Sequence, residues 1–261
     1  MVSPAVWQGC RVIRLLVAAS SSIAVVAALA VAGTVTPRPT TTTSDVSIIG
    51  RSVEGRPIEV AHADTGGHRR VLVIGVIHGD EPAGLAIVDD LSRLPVPAGV
   101  DLYLVDTMNP DGLAVDRRTN ANGVDLNRNF PDEWGPIGRP GDWEYAGSGP
   151  ASEPETQAIV SYVSALRPDL VIWYHQDAYS IAPGEGRAGA IRARYAELTG
   201  LPMASVTGGT YSGIAATWAR HELESDDPPG VAFIVELGAK VTADDALMHA
   251  NAVLTLASED N

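Results

Sequence analysis

Cysteine, lysine and phenylalanine are almost missing from this chain: Cys10 and Lys240 are the sole residues of their kinds, and phenylalanine occurs twice. A single cysteine cannot close an intramolecular disulfide, so the fold has to be held by packing. With 18 basic residues against 32 acidic ones, a formal net charge of -14 and no basic stripe, the sequence offers nothing to a phosphate backbone, and nucleic acid is not expected as a partner. The acidic excess reads as solvated surface. No internal repeat is visible, and 45% hydrophobic content over 261 residues suits one sizeable core without requiring a second domain.

The most continuous apolar stretch lies at the N-terminus. Arg11 and Arg14 precede a nearly all-apolar run from Leu15 to Leu29, and Ala30-Val31-Ala32 offers a small-x-small cleavage site before Gly33. Residues 1–32 therefore read as an export signal. Left uncleaved, residues 15–35 are about long enough to anchor the chain in a membrane. Cys10 precedes the apolar run, whereas a lipid-modified cysteine would follow it, so no lipoprotein is expected. Residues 33–45, rich in threonine with Pro37 and Pro39, read as a linker, and 46–261 as the catalytic domain. The expected location is outside the cytoplasm: secreted, in the cell wall or anchored at the membrane.

Within that domain, strand-like runs alternate with helical ones: Val71–Ile77 then Pro82–Leu94, Val100–Asp106 then a long loop, Leu170–Tyr174 then Ala188–Gly200. The pattern predicts an α/β domain with a mixed, mostly parallel twisted sheet and helices on both faces. Ser152 is expected to cap a helix that carries an early proline and ends near Pro168, and a last helix should follow Thr242. The segment 106–151, rich in Gly, Asn, Pro and Asp, is long for a structureless loop, which points to function. Its Trp134 and Trp143 read equally as cleft lining or loop packing.

Four polar residues stand at the C-terminal ends of apolar runs: His78 and Glu81 after Val71–Ile77, His175 after Leu170–Tyr174, and Glu236 after Val231–Val235. In open parallel sheets, residues far apart in sequence converge at those ends. A histidine and an acid three positions apart carry little information alone, since a solvated turn explains them as well. Zinc takes imidazole nitrogen and carboxylate oxygen and keeps an open position in catalytic sites, so the pair gains weight as a candidate metal site only because possible partners stand elsewhere in the chain. Between them lie Asn109-Pro110-Asp111-Gly112 and the block Gly123-Val124-Asp125-Leu126-Asn127-Arg128-Asn129-Phe130.

These blocks, and the chain from about Ile49 onward, closely resemble the zinc carboxypeptidase family, with the bacterial murein peptide amidases as the most similar group. The resemblance implies one Zn2+ per chain held by His78, Glu81 and His175, with Asp125 accepting a hydrogen bond from the first metal histidine. It implies Glu236 as the general base and Arg118 as the donor that steadies the oxyanion, although the adjacent Arg117 leaves the register open by one residue. It also implies that Asn127 and Arg128 grip the substrate's terminal carboxylate. Tyr211 is the candidate for the mobile-loop tyrosine of the family, yet aligning Ala215-Ala216-Thr217-Trp218 with the pocket segment puts it out of register. That pocket segment shows no acid for a basic side chain.

Two other motifs lead nowhere. Gly184-Glu185-Gly186-Arg187-Ala188-Gly189 stands too far beyond its strand for a dinucleotide site, and Gly209-Thr210-Tyr211-Ser212-Gly213 lacks the spacing of a nucleophile elbow. His62, His68, His221 and His249 read as surface residues. The implied activity is hydrolysis of a C-terminal amide bond in cell-wall peptides, between γ-D-glutamate and a diamino acid. The substrate would be a peptide with a free C-terminal carboxylate, derived from peptidoglycan. The alternatives are an exported carboxypeptidase acting on ordinary L-peptide ends and a catalytically silent peptide- or wall-binding module.

Overall fold

The computed structural model describes residues 45–205 and 211–259. The signal and all but the last residue of the linker expected from the sequence lie outside them. Among the described residues, seven strands form one sheet in the order β1-β2-β4-β3-β5-β7-β6. They are β1 (Asp45–Arg51), β2 (Pro57–Ala63), β3 (Arg69–Val76), β4 (Val100–Thr107), β5 (Leu170–Gln176), β6 (Ser180–Ile181) and β7 (Val231–Leu237). The central four, β4, β3, β5 and β7, are mutually parallel, while β1, β2 and β6 add antiparallel edges. Burial on both faces explains why β3 and β5 read as unbroken apolar runs.

The helices divide between the two faces. On one face α1 (Gly84–Arg93), α4 (Gly186–Thr199) and α6 (Ala243–Ser258) cover Val71, Val73, Leu170, Ile172, Phe233 and Val235. On the other, α3 (Pro154–Leu166) and α5 (Ala215–Glu222) cover Leu72, Ile74, Val171, Trp173 and Ala232. Because side chains alternate along a strand, His175 and Glu236 share this second face with Val171, Trp173 and Ala232. They are also directly paired across β5 and β7. The chain moves from β3 outward to β4, then returns to place β5 on the other side of β3. The resulting reversal opens a crevice at the C-terminal ends of β3 and β5.

Two close approaches fix the turn that leaves β3. A Cβ on Gly84 would lie 2.1 Å from the Gly75 carbonyl oxygen, and one on Gly79 would lie 2.0 Å from the Gly112 carbonyl carbon. The turn 78–81 is thereby pressed against the start of α1 on one side and α2 (Pro110–Ala114) on the other. Asn109, fully buried, completes the joint: its Oδ1 accepts from Gly112 N at 3.0 Å, and its Nδ2 donates to the carbonyls of Ile77 and Arg118.

Several sequence expectations need correction. The long segment 106–151 is not structureless, since it holds α2 and a 3-10 turn at Leu126–Arg128. Glu153, not Ser152, occupies the N-cap of α3; the Ser152 hydroxyl donates to the Glu153 carboxylate instead. The last helix starts as expected after Thr242, which forms a reciprocal capping box with Asp245. Gly189 and Gly184 pack backbone to backbone at the start of α4, which accounts for their small size without a ligand.

His249 is not a surface residue. It is buried on α6, where Nδ1 lies 2.7 Å from the Tyr195 hydroxyl, itself 2.9 Å from the Tyr174 hydroxyl. A neutral imidazole accepts the Tyr195 proton, and Tyr195 accepts that of Tyr174, so both donors are satisfied. Burial, opposed only weakly by Asp245, lowers the His249 pKa to about 4. The unfolded chain binds this proton near pH 6.5 and the folded one only near 4, so stability is full above 6.5 and falls as pH drops through that window. Urea unfolding should show a loss of roughly 2 kcal/mol between pH 7 and pH 5 that His249→Asn removes. An identical pH slope in the variant contradicts this assignment.

Candidate metal centre and substrate cavity

The turn after β3 and the end of β5 bring three ligand-bearing side chains together. The ligand atoms of His78, Glu81 and His175 all lie within 4.8 Å of one another. Glu81 bridges the two imidazoles, with Oε1 2.8 Å from His78 Nδ1 and Oε2 3.0 Å from His175 Nδ1. Gln176 N donates to the same Oε2, a contact that no motif signalled. Burial opposes the charge of Glu81, but the His175 and His78 imidazoles hold its carboxyl far below the usual carboxylate range.

His78 is oriented from behind. Its Nε2 lies 3.0 Å from Asp125 Oδ1, so the ring donates there and turns the lone pair of Nδ1 toward the Glu81 carboxylate. Two acceptors facing each other at hydrogen-bond distance call for positive charge beside them, and Arg118 Nη1 lies 3.1 Å from both His78 Nδ1 and Glu81 Oε1. Burial disfavours the imidazolium, yet Asp125 and Glu81 outweigh it and raise the His78 pKa. A divalent ion satisfies the same demand, and two imidazole nitrogens with a carboxylate oxygen are a donor set that zinc accepts.

Asp125 is wholly buried and also takes Arg118, through Nε at 3.0 Å and Nη2 at 2.8 Å. Burial raises its pKa, but His78, Arg118 and Arg128 more than offset this and hold it well below the ordinary range. Arg118 Nη1 reaches Glu81 Oε1 at 3.1 Å, and the exposed ring of Trp143 lies over its guanidinium, 4.9 Å from the centroid. Of the two adjacent arginines, Arg118 lines the cavity of the ligand cluster and Arg117 does not.

That cavity, about 610 Å³, also brings in Asn127, Arg128, Tyr211 and Glu236. The 3-10 turn that Asp125 caps, through Asn127 N at 2.9 Å, carries Asn127 and Arg128. Asn127 Oδ1 accepts from Ala215 N at the start of α5. Arg128 is buried; its Nη2 donates to Glu144 at 3.0 Å, its Nε has no hydrogen-bond partner among the described residues, and its guanidinium lies 5.3 Å from the centre of the Tyr211 ring. Tyr211 therefore reaches the cavity despite the register derived from Ala215–Trp218. Ala215 and Ala216 are buried instead, and Ile214 forms the wall. The Glu236 carboxylate, half-buried, faces the cavity without a hydrogen bond from the described residues.

No motif marks Glu144 or Asp177, the acids that join the cavity wall with Ser180 and Ser205. Nothing in their neighbourhoods distinguishes them from loop residues until the chain folds back. Trp143 lines the cavity, whereas Trp134 donates to Ala146 O and packs the loop. A second grouping, His62, Asp64 and Asp101, is less available: Asp101 Oδ1 already accepts from Thr65 N and Gly67 N, and Asp64 Oδ1 from Gly66 N. His62 is half-buried and stacked on Tyr103, which again departs from the surface expectation.

A parallel α/β sheet with a His-Glu-His cluster at its switch point defines a metallopeptidase-like architecture, and the comparisons specify it. Residues 96–183 match the zinc carboxypeptidase family. Murein peptide amidase A of Escherichia coli (strain K12) is 30% identical over 196 residues, covering 69% of this chain and 80% of that protein. The chain belongs to the zinc carboxypeptidase family and is similar to murein peptide amidases. The crystal structure of murein-tripeptide amidase MpaA from Escherichia coli O157 superposes with a TM-score of 0.65 at 25% identity, covering 86% of this chain and 97% of that one. Carboxypeptidase A from Helicoverpa armigera shares the fold, with a TM-score of 0.69 at 18% identity over 83% of this chain and 68% of that one.

Removing the carboxylate beneath the cluster leaves His78 and Arg118 without their common partner. Asp125→Ala should lower the unfolding free energy by about 3–5 kcal/mol, read by urea unfolding at pH 7. A loss under about 1 kcal/mol contradicts the central position given to this residue.

Proposed function

We propose that the protein is an exported zinc-dependent carboxypeptidase that hydrolyses the amide between γ-D-glutamate and a diamino acid in cell-wall peptides. The observation that carries this reading is the single cavity in which His78, Glu81 and His175 meet Asn127, Arg128 and Glu236. Similarity to murein peptide amidase A supports the substrate class, and the apolar stretch Leu15–Leu29 behind Arg11 and Arg14 supports export.

His78, Glu81 and His175 would hold the zinc, which when bound polarises the scissile carbonyl and acidifies water. Glu236, which has no hydrogen bond from the described residues, takes the proton from the attacking water and delivers it to the leaving amine. Arg118, aimed by Asp125, donates to the oxygen on which negative charge develops. Arg128 and Asn127 receive the substrate's terminal carboxylate. The unpartnered Nε of Arg128 is available, and Glu144 yields Nη2 as the carboxylate enters to form two parallel hydrogen bonds. This arrangement restricts cleavage to chain ends.

Two measurements test the reading. Glu236→Gln should keep its zinc, by elemental analysis, while kcat falls about 10²–10⁴-fold because only proton transfer is removed; near-normal turnover means another base. For substrate class, kcat/KM for L-Ala-γ-D-Glu-diaminopimelate should exceed that for blocked L-dipeptides by at least about tenfold, or roughly 1.4 kcal/mol of transition-state discrimination. Faster cleavage of a hydrophobic L-dipeptide transfers the assignment to ordinary peptide ends.

A further inference from the structure

A second cavity of about 400 Å³ adjoins the first and shares only Arg118 and Trp143 with it. Its other walls are Arg117, Thr119, Gly123, Gly141 and three aspartates, Asp80, Asp116 and Asp142. None of Asn127, Arg128 or Tyr211, the groups at the terminal-carboxylate end, reaches it. With Arg118, the proposed oxyanion donor, lining both spaces, the second cavity is assigned to the acyl side of the bond to be cut.

Arg117 is the unused cation here. Its neighbour Arg118 is held beside the ligand cluster by Asp125 and Glu81, whereas the Arg117 guanidinium is exposed and has no hydrogen bond or ion pair among the described residues. Its backbone is nonetheless fixed, because Arg117 N donates to Gly112 O at 3.0 Å and Asn109 Nδ2 holds the Arg118 carbonyl. The guanidinium is therefore presented at the groove by a braced loop. The surrounding carboxylates repel a bare anion, so a matching carboxylate is one that arrives with an ammonium nearby.

We propose that this second cavity is the subsite for the acyl part of the substrate, in which Arg117 holds the free α-carboxylate of a γ-linked glutamyl residue and Asp80, Asp116 and Asp142 face its amino-terminal ammonium. The inference rests on the γ-glutamyl reading above. A γ linkage leaves the α-carboxylate free on the acyl side, while an ordinary peptide bond consumes it, so Arg117 discriminates the two. The same groove favours a released peptide with a free amino end over one still acylated there.

The test uses the zinc-loaded protein and three peptides: L-Ala-γ-D-Glu-diaminopimelate, its glutamyl α-carboxamide, and its N-acetyl derivative. For the native protein the carboxamide should lower kcat/KM by at least about tenfold, mainly through KM, since a charge-assisted hydrogen bond is lost. N-acetylation should raise KM as well. Arg117→Ala should show the same loss on the parent peptide and treat acid and carboxamide alike, and Arg117→Lys should restore part of the preference. Thermal unfolding and zinc content check that the exposed substitution leaves the fold intact. Equal rates on acid and carboxamide by the native protein, or undiminished discrimination by Arg117→Ala, overturn the carboxylate assignment; tight binding of the acetylated peptide overturns the ammonium assignment. If no γ-glutamyl peptide is cleaved while a blocked L-dipeptide is, the function reading falls, and this inference with it.

Discussion

A carboxylate with no contact with solvent stays ionised only if donors fill its lone pairs. Asp125 meets that condition with His78 Nε2 and Asn127 N on one oxygen and Arg118 Nε and Nη2 on the other. Each of those donors is then placed for something else. The histidine ring turns its Nδ1 to Glu81, the guanidinium is held beside the ligand cluster, and the 3-10 turn is capped so that Asn127 and Arg128 face the cavity. The first histidine of the candidate metal site, the proposed oxyanion donor and the proposed carboxylate clamp thus depend on one buried charge, supported by its backbone bond from Asp125 N to Tyr145 O.

The sheet supplies the other half of the arrangement. Parallel pairing of β5 with β7 puts His175 directly opposite Glu236, and the strand reversal beside β3 opens the crevice into which both project. Loops then do the specific work. Asn109 ties the end of β3 to the loop before Arg118, while residues 138–145 bring Trp143 over Arg118 and Glu144 onto Arg128. The end of β5 and the turn after β3 carry the candidate ligands, and longer-range loop contacts shape the cavity around them.

Much of this was legible in the sequence because strand-end residues are marked by the apolar runs before them. His78, Glu81, His175 and Glu236 converge as the runs and the family block implied, and the α/β architecture follows from the alternation of elements. What stayed hidden depends on contacts between segments without local signature. Glu144 and Asp177 look like ordinary loop acids until the chain returns to the cavity. Tyr211, the candidate loop tyrosine, lines the cavity although a linear register against Ala215–Trp218 displaces it. His249 looked solvent-facing because its partners, Tyr195 and Tyr174, sit on α4 and β5, far away in sequence.

The proposed zinc site consists of His78, Glu81 and His175, with Asp125 orienting His78. Anomalous scattering at the zinc edge from crystals of the zinc-loaded protein tests it most directly. The prediction is one strong peak about 2.0–2.2 Å from His78 Nδ1, His175 Nδ1 and a Glu81 oxygen. A peak at His62, Asp64 and Asp101 instead, or none between the two imidazoles, would contradict it.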